Sequence, residues 1–509
     1  MNKSRFIYGS ILMVFMNIII RFIGFTYEVL LSKYLGAEAM GLFEIAVSTL
    51  MIFLILINSG TSTSVTKLVA EQQSKHNYLN VKGIFNSTLI LNISLSILLG
   101  LGIIYFAEDI AVQFLKNKDM TIGVYLLVPA IVLISMTSVF RSYFYGLKNV
   151  IVPSIGEIIE ALAKVIVVMT ILYFIYPLAP KYGALLAIMG ISIGEFFNFL
   201  WYLYAKGKYS IKKNTNIDKK QSFLFRIITM SLPLTISGFI NAFLRFCNTI
   251  LIPNRLMLAG YTNAEAVSTI GRVMGMTMPL IHLPFIVTNA LVVNLIPSLT
   301  EQVILKKYKD IKSDIQLSIK ATLLIAIPLC AIYLTLSNSL AMFLYSDPIV
   351  ANYIRIMGLS TVLIALQHNL SGILYGLNKQ IIATITRVFG MVIQVIVIFT
   401  LVGDPKYGIN GIFIAYYTSM IVVMVMDLKT LRGEIRLKLN YWDILGKPVI
   451  ASMFMVVFIY FSNYDLDKLQ NTKALVFGSS LVVGAFAYIF ILILTKAFPK
   501  NFFKRLLAK

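Results

Sequence analysis

Apolar residues run along this chain in blocks of about twenty, the length a helix needs to cross a bilayer, and short polar connections separate the blocks. The blocks fall near 8–31, 43–66, 86–106, 121–146, 154–177, 183–205, 226–250, 271–298, 318–337, 350–376, 381–402, 409–427, 444–462 and 474–495. A membrane barrel strand would alternate apolar and polar positions over about 10 residues. These blocks are continuous instead. The pattern predicts an all-α polytopic membrane protein with about 14 transmembrane helices, because helices satisfy their own backbone hydrogen bonds in lipid. The first block follows Met1-Asn-Lys-Ser-Arg and carries straight on into Leu30, so it is expected to stay as a span rather than be cleaved as a signal peptide.

Composition agrees with a membrane solvent. Of 509 residues, 58% are hydrophobic and 13% charged, and mean hydropathy is +0.84. A net charge of +22 would suggest nucleic acid in a soluble protein. Here the basic residues sit in connections, so topology accounts for them and no nucleic-acid partner is expected. One alternating set of connections holds 28 Lys and Arg, from Lys3 and Arg5 to Lys509; the other holds 8, among them Lys33, Lys116, Lys118 and Lys406. The positive-inside rule then places both termini in the cytoplasm of a cell-membrane protein. Trp201 and Trp442 are expected at the cytoplasmic interface. Cys247 and Cys330 lie in apolar blocks without metal-type spacing, and His76, His282 and His368 are far apart in sequence, so neither a metal nor a cofactor is expected.

The chain repeats itself. Tyr145-Gly-Leu-Lys-Asn recurs as Tyr375-Gly-Leu-Asn-Lys, Glu71-Gln72 as Glu301-Gln302, and Lys181-Tyr-Gly as Lys406-Tyr-Gly, at offsets of 225–230 residues. Both repeats hold six spans and start on the same side, which makes a parallel pseudo-repeat. The expected organisation is an N-terminal lobe at 1–222, a C-terminal lobe at 223–440, and two further helices with a basic tail at 441–509. The longest basic connection, 206–226, joins the lobes. It is read either as a contact for anionic lipid or as a plain topogenic loop. A six-plus-six body of this kind is an alternating-access design, with the first spans of each lobe at a central cleft.

Charges inside spans mark wet surfaces, since each costs about 2.5–3.5 kcal/mol at bilayer depth on insertion scales. The spans carry Arg21, Glu28, Arg141, Glu157, Glu160, Lys164, Glu195, Arg245, Arg272, Arg355 and Arg387. Glu160 and Lys164 are spaced to pair on one helix face. Arg141 and Arg355 are read as snorkelling to an interface. Arg21, Arg245 and Arg272 fall on the spans expected at the cleft. Their planar guanidinium groups suit phosphate oxygens; the competing reading is that they tie neighbouring helices together. Pro279, Pro284 and Pro297 interrupt the eighth span and are expected to make it bend. Leu35–Leu42 is read as a short external turn between the first two spans.

Arg21-Phe-Ile-Gly-Phe followed by Leu35-Gly-Ala-Glu-Ala-Met-Gly-Leu resembles the opening of polysaccharide exporters in the multidrug/oligosaccharidyl-lipid/polysaccharide superfamily, and within it the stage V sporulation protein B group. The likeness continues through Thr66-Lys-Leu-Val-Ala-Glu, Ser231-Leu-Pro-Leu-Thr, Leu251-Ile-Pro-Asn-Arg, Arg272-Val-Met-Gly-Met and Leu295-Ile-Pro-Ser-Leu-Thr-Glu. The resemblance implies a fourteen-helix, two-lobe flippase or exporter for undecaprenyl-diphosphate-linked glycans. It implies diphosphate binding by Arg21 and Arg272, with Glu28 organising the arginines. The related lipid II flippases carry a further arginine where Tyr27 stands here. The candidate substrate-binding residues are Arg21, Glu28, Arg245 and Arg272. The implied partners are the bilayer, the lipid-linked glycan and enzymes of cell-wall synthesis. A cation-coupled multidrug antiporter is the alternative, favoured by an acid-dominated cleft. A membrane glycosyl- or acyltransferase is the third reading, and the chain shows no nucleophile–base constellation or phosphate-cradling glycine loop for it.

Overall fold

The computed structural model describes residues 3–114, 118–208, 223–435, 440–467 and 473–497. The middle of the basic connection (209–222), Lys116, Arg436, Lys438, Lys468 and the tail from 498 lie outside the described residues.

The first helix, Lys3–Ser74, has 72 residues. Unbroken, it would be about 108 Å long, more than three times the hydrocarbon thickness. Gly36 divides it, with φ 79° and ψ 176°, into α1 (3–35) and α2 (37–74). The expected turn over Leu35–Leu42 is therefore a single residue, with helix on both sides. The following spans are α3 (Tyr78–Tyr105), α4 (Thr121–Gly146), α5 (Ile151–Ile175), α6 (Pro180–Lys208) and α7 (Leu224–Leu258). Next come α8 (Asn263–Ile281 and Phe285–Ile304), α9 (Tyr308–Thr335), α10 (Pro348–Met357 and Ser360–Gly376), α11 (Gln380–Val402) and α12 (Ile409–Glu434). The last two are α13 (Trp442–Ser462) and α14 (Phe477–Leu494). Eleven described helices are long and apolar enough to span, or thirteen with each bent pair as one. The Gly36 break brings the total to the fourteen expected.

Two of the candidate spans are broken: α8 bends by 55° and α10 by 48°. Of the three prolines expected to interrupt α8, Pro284 lies at the bend, Pro279 opens the short helix Met278–Ile281, and Pro297 sits inside a continuous helix. The α10 bend at Gly358-Leu359 has no proline to mark it in the sequence. An earlier part of α8, Gly271–Thr277, is wound as π-helix.

Packing divides the chain into compact units at 1–271 and 272–509. The division differs from the expected lobe boundary near 222 because α7 packs on α2. The two helices run antiparallel along a seam of small and hydroxyl residues. Ser231 Oγ donates to Ser64 Oγ at 3.1 Å, the Gly60 N–H to Thr235 Oγ1 at 3.2 Å, and Ser48 Oγ to Thr249 Oγ1 at 3.2 Å. Lipid offers helices no hydrophobic reason to associate, so close backbone approach and such hydrogen bonds hold them together. One end of the seam closes on Arg226 and Glu71, paired at 2.7 Å. The apolar core of this unit gathers Leu68, Phe85, Phe140, Phe144 and Tyr202.

In the second unit, α8, α9, α10 and α12 share a core around Leu299, Ile315, Ile373 and Leu431. The two helices beyond the repeat pack through a separate cluster on α9, where Tyr488 Oη donates to the Leu324 carbonyl at 2.7 Å. Asp443, at the start of α13, accepts from both Lys320 of α9 and Lys447 at 2.5 Å, and Lys447 also reaches the Lys496 carbonyl at 3.3 Å.

The repeat is visible residue by residue. His76 and Lys306 both have positive φ, at 55° and 54°, as do Lys148 and Asn378, both at 60°. Thr66 Oγ1 donates to the Ser142 carbonyl, and Thr300 Oγ1 to the Gly376 carbonyl, each at 3.2 Å. Gly146 lies against Val69 and the Thr66 carbonyl, while Gly376 lies against Leu299 and the Ile296 carbonyl. The positive-φ pairs and the Gly146–Gly376 contacts are separated by 230 residues, as in the sequence repeat, while the two threonine-to-carbonyl bonds are separated by 234.

Candidate functional site

Arg21 lies just past the middle of α1 and is exposed; among the described residues its side chain forms no hydrogen bond or ion pair. Arg245, inside α7, is exposed in the same way; its carbonyl accepts from Thr249 Oγ1 at 3.1 Å, and its guanidinium has no described protein partner. Both are in the first unit. An unpaired charge on a membrane span needs water or a polar ligand beside it.

Arg272 is different. It sits in the π-wound part of α8, and its Nε donates to Asp347 Oδ2 at 2.8 Å, with the side chains 20% and 16% exposed. The other Asp347 oxygen accepts from the Ile349 N–H at 2.9 Å and caps the first half of α10. Asp347 had no place in the sequence reading, since it lies in a connection and only the fold brings it to Arg272.

Glu28 is partly buried on α1, and the cation that acts on it electrostatically is Lys164 of α5, rather than one of the arginines it was expected to organise. The Lys164 ammonium stands 5.1 Å from the ring centre of Tyr27, which is buried. Gly190 of α6 leaves the room, since a Cβ there would lie 3.0 Å from Tyr27 Oη. Tyr27, where related flippases carry an arginine, is thus packed under a lysine from another helix. Glu44, on α2, adds a second carboxylate coupled to Glu28 and was missed in sequence because it stands at the edge of an apolar block.

A second polar group lies between α4, α5 and α6. Arg141 pairs with Glu157 at 3.2 Å and does not simply snorkel. Glu160 accepts from Asn198 at 3.3 Å instead of pairing with Lys164. Glu195 accepts from Thr137 at 2.7 Å and from Asn198 at 3.3 Å. Helical spacing allowed the Glu160–Lys164 pair, but packing turns Lys164 toward Tyr27. In the second unit, Arg355 Nε reaches Ser337 Oγ at 3.3 Å, and Asp427 accepts from Thr386 at 2.8 Å. His282 and His368, distant in sequence, both meet Phe285, the first stacked with ring centres 5.0 Å apart and the second tilted at 4.8 Å.

The profile of the polysaccharide biosynthesis protein family matches residues 6–303, more than half of the chain. The chain belongs to the polysaccharide biosynthesis protein family. The MatE family profile also matches, over residues 237–400. Among relatives of this polysaccharide biosynthesis protein, stage V sporulation protein B of Bacillus subtilis (strain 168) is 24% identical, across 99% of this chain and 98% of its own. Lipid II flippase MurJ of the same organism is 21% identical, across 96% of this chain and 95% of its own. A solved structure of lipid II flippase MurJ in an inward closed conformation superposes with a TM-score of 0.69 at 16% identity, covering 98% of this chain and 100% of the other. The fold is therefore that of a multi-pass membrane transporter, and the superfamily resemblance carried by Arg21-Phe-Ile-Gly-Phe and its companions is the one these matches return.

Proposed function

We propose that the protein carries an undecaprenyl-diphosphate-linked glycan, a peptidoglycan precursor or a polysaccharide repeat unit, from the cytoplasmic to the outer leaflet by alternating access. The observation that carries this reading is the pair of exposed arginines, Arg21 and Arg245, on membrane spans with no described protein partner. A guanidinium matches a phosphate in plane and in charge. Family membership and end-to-end likeness to a lipid II flippase support the same substrate class. Arg21, Arg245 and Arg272 are each candidate contacts for the diphosphate, and Glu28 with Lys164 sets the charge around α1. The lobes are 1–222 and 223–440, with 441–509 attached to the second. Both termini face the cytoplasm, where the loaded lipid is made. A potential positive outside assists outward movement by about 2.3 kcal/mol per charge per 100 mV. The role needs no covalent step and no cofactor; enzymes of cell-wall synthesis supply the substrate and consume the product.

The test is lipid II flipping in proteoliposomes. Arg21→Ala and Arg272→Ala should each slow it about tenfold or more, a loss of at least about 1.4 kcal/mol of binding or transition-state stabilisation. Unchanged flipping in both variants would sink the diphosphate role. The MatE match over 237–400 keeps one other reading in play, a cation-coupled multidrug antiporter. Export of a cationic dye by wild type, without lipid II flipping, would select it.

A further inference from the structure

Arg272 and Asp347 meet through one contact only. Nε donates to Asp347 Oδ2 at 2.8 Å, and Asp347 Oδ1 is held by the Ile349 N–H at 2.9 Å. A guanidinium has five N–H donors. The Asp347 bond uses one, and the η nitrogens bond to no other described residue. Both side chains keep some exposure, 20% and 16%.

The frame around this contact is fixed. Arg272 stands in the π-wound segment Gly271–Thr277, a geometry frequent at functional sites. Thr277 Oγ1 donates to the Arg272 carbonyl at 2.8 Å. Further along, Tyr345 Oη donates to the Met276 carbonyl and Tyr333 Oη to the Leu280 carbonyl, each at 2.7 Å. The backbone that presents Arg272 is thereby tied to α9 and to the connection leading into α10.

We propose that Asp347 is a positioning residue for Arg272, setting its η edge toward the diphosphate of the carried lipid and moderating the grip so that the lipid can leave. The proposal rests on the diphosphate reading given above. The Nε bond fixes the guanidinium plane while leaving the phosphate-matching edge open. The same carboxylate places a negative charge beside the bound phosphate. A carrier must bind well enough to load and weakly enough to unload. A lone arginine meets only the first requirement.

Full-length protein in nanodiscs, with undecaprenyl diphosphate as the probe, tests this by equilibrium binding, and lipid II flipping in proteoliposomes gives the turnover. Asp347→Asn keeps an acceptor for the Ile349 N–H and so keeps the cap. It should bind the probe about tenfold tighter, about 1.4 kcal/mol, and flip more slowly. Asp347→Glu should return both values toward wild type. In an Arg272→Ala background, Asp347→Asn should change nothing. Binding by Asp347→Asn that equals or falls below wild type overturns the proposal, as does a tightening that persists without Arg272. Full binding by Arg272→Ala alone overturns the diphosphate reading itself, a separate result.

Discussion

Gly60 of α2 lies directly on the backbone of Ser231 of α7, so close that a Cβ on Gly60 would overlap the Ser231 carbonyl group. The Gly60 N–H meanwhile donates to Thr235 Oγ1 at 3.2 Å. The contact decides how near the two helices come, and with it whether the hydroxyls of Ser48, Ser64, Ser231 and Thr249 can reach one another. Gly60→Val should therefore destabilise the protein at the upper end of the about 1–3 kcal/mol of overpacking changes, because the obstacle is backbone and cannot rotate away. Thermal unfolding in detergent checks it, with Gly83→Val as control, since a side chain at Gly83 meets nothing within 4 Å. Equal melting of the two variants would count against the seam.

Gly36 offers the opposite case. A Cβ there meets nothing within 4 Å, yet its φ of 79° and ψ of 176° fall where side chains are rarely tolerated. Gly36→Ala should cost about 1–3 kcal/mol through backbone strain alone. Gly24→Ala, also in open space but helical, should be neutral or stabilising by up to about 1 kcal/mol. Differential scanning of both variants separates strain from steric effects.

Lys320 is buried, with 8% of its side chain exposed, and its partner Asp443 is 31% exposed. Lys447 shares Asp443, so removing Lys320 leaves the carboxylate with one cation. Lys320→Met should cost about 1–3 kcal/mol, less than the 3–5 of a fully buried pair because Asp443 keeps both water and Lys447. Proteolysis between α12 and α13 should quicken in this variant as the anchor of the last two helices loosens.

The Glu71–Arg226 pair should matter little to stability. Its side chains are 28% and 47% exposed, and Lys75 also holds Glu71 at 2.9 Å. Arg226→Gln should cost no more than about 1 kcal/mol. Raising salt should shrink the difference from wild type, as screening reaches exposed pairs first. A larger, salt-independent loss in unfolding experiments would show that the pair does more than close the end of the seam.

Much of this fold was legible in the chain. Hydrophobic block length predicts spans because a helix must cross a fixed thickness of hydrocarbon with its backbone bonded internally, and the described helices, divided at Gly36, give fourteen candidate spans. The repeat was legible because identical local packing selects similar residues; Gly146 and Gly376 answer each other in letters and in contacts. The breaks were less so. Pro284 marks the bend in α8, but α10 bends at Gly358-Leu359 without a proline, and Pro297 leaves its helix continuous. A helix breaker acts only where neighbours let the freed backbone groups find partners, and neighbours are not written in the local sequence.

The chain by itself determined its solvent, its helices, its repeat and the presence of arginines where hydrocarbon would be expected. Those follow from composition and period, which are properties of short stretches. Only the tertiary structure decided which charges meet. It set Asp347 on Arg272, Lys164 over Tyr27 and Glu157 on Arg141, while giving Arg21 and Arg245 no partner among the described residues. Each pairing joins segments distant in the chain, and the energy of a charge depends on what lies within a few ångströms, a quantity that only packing fixes.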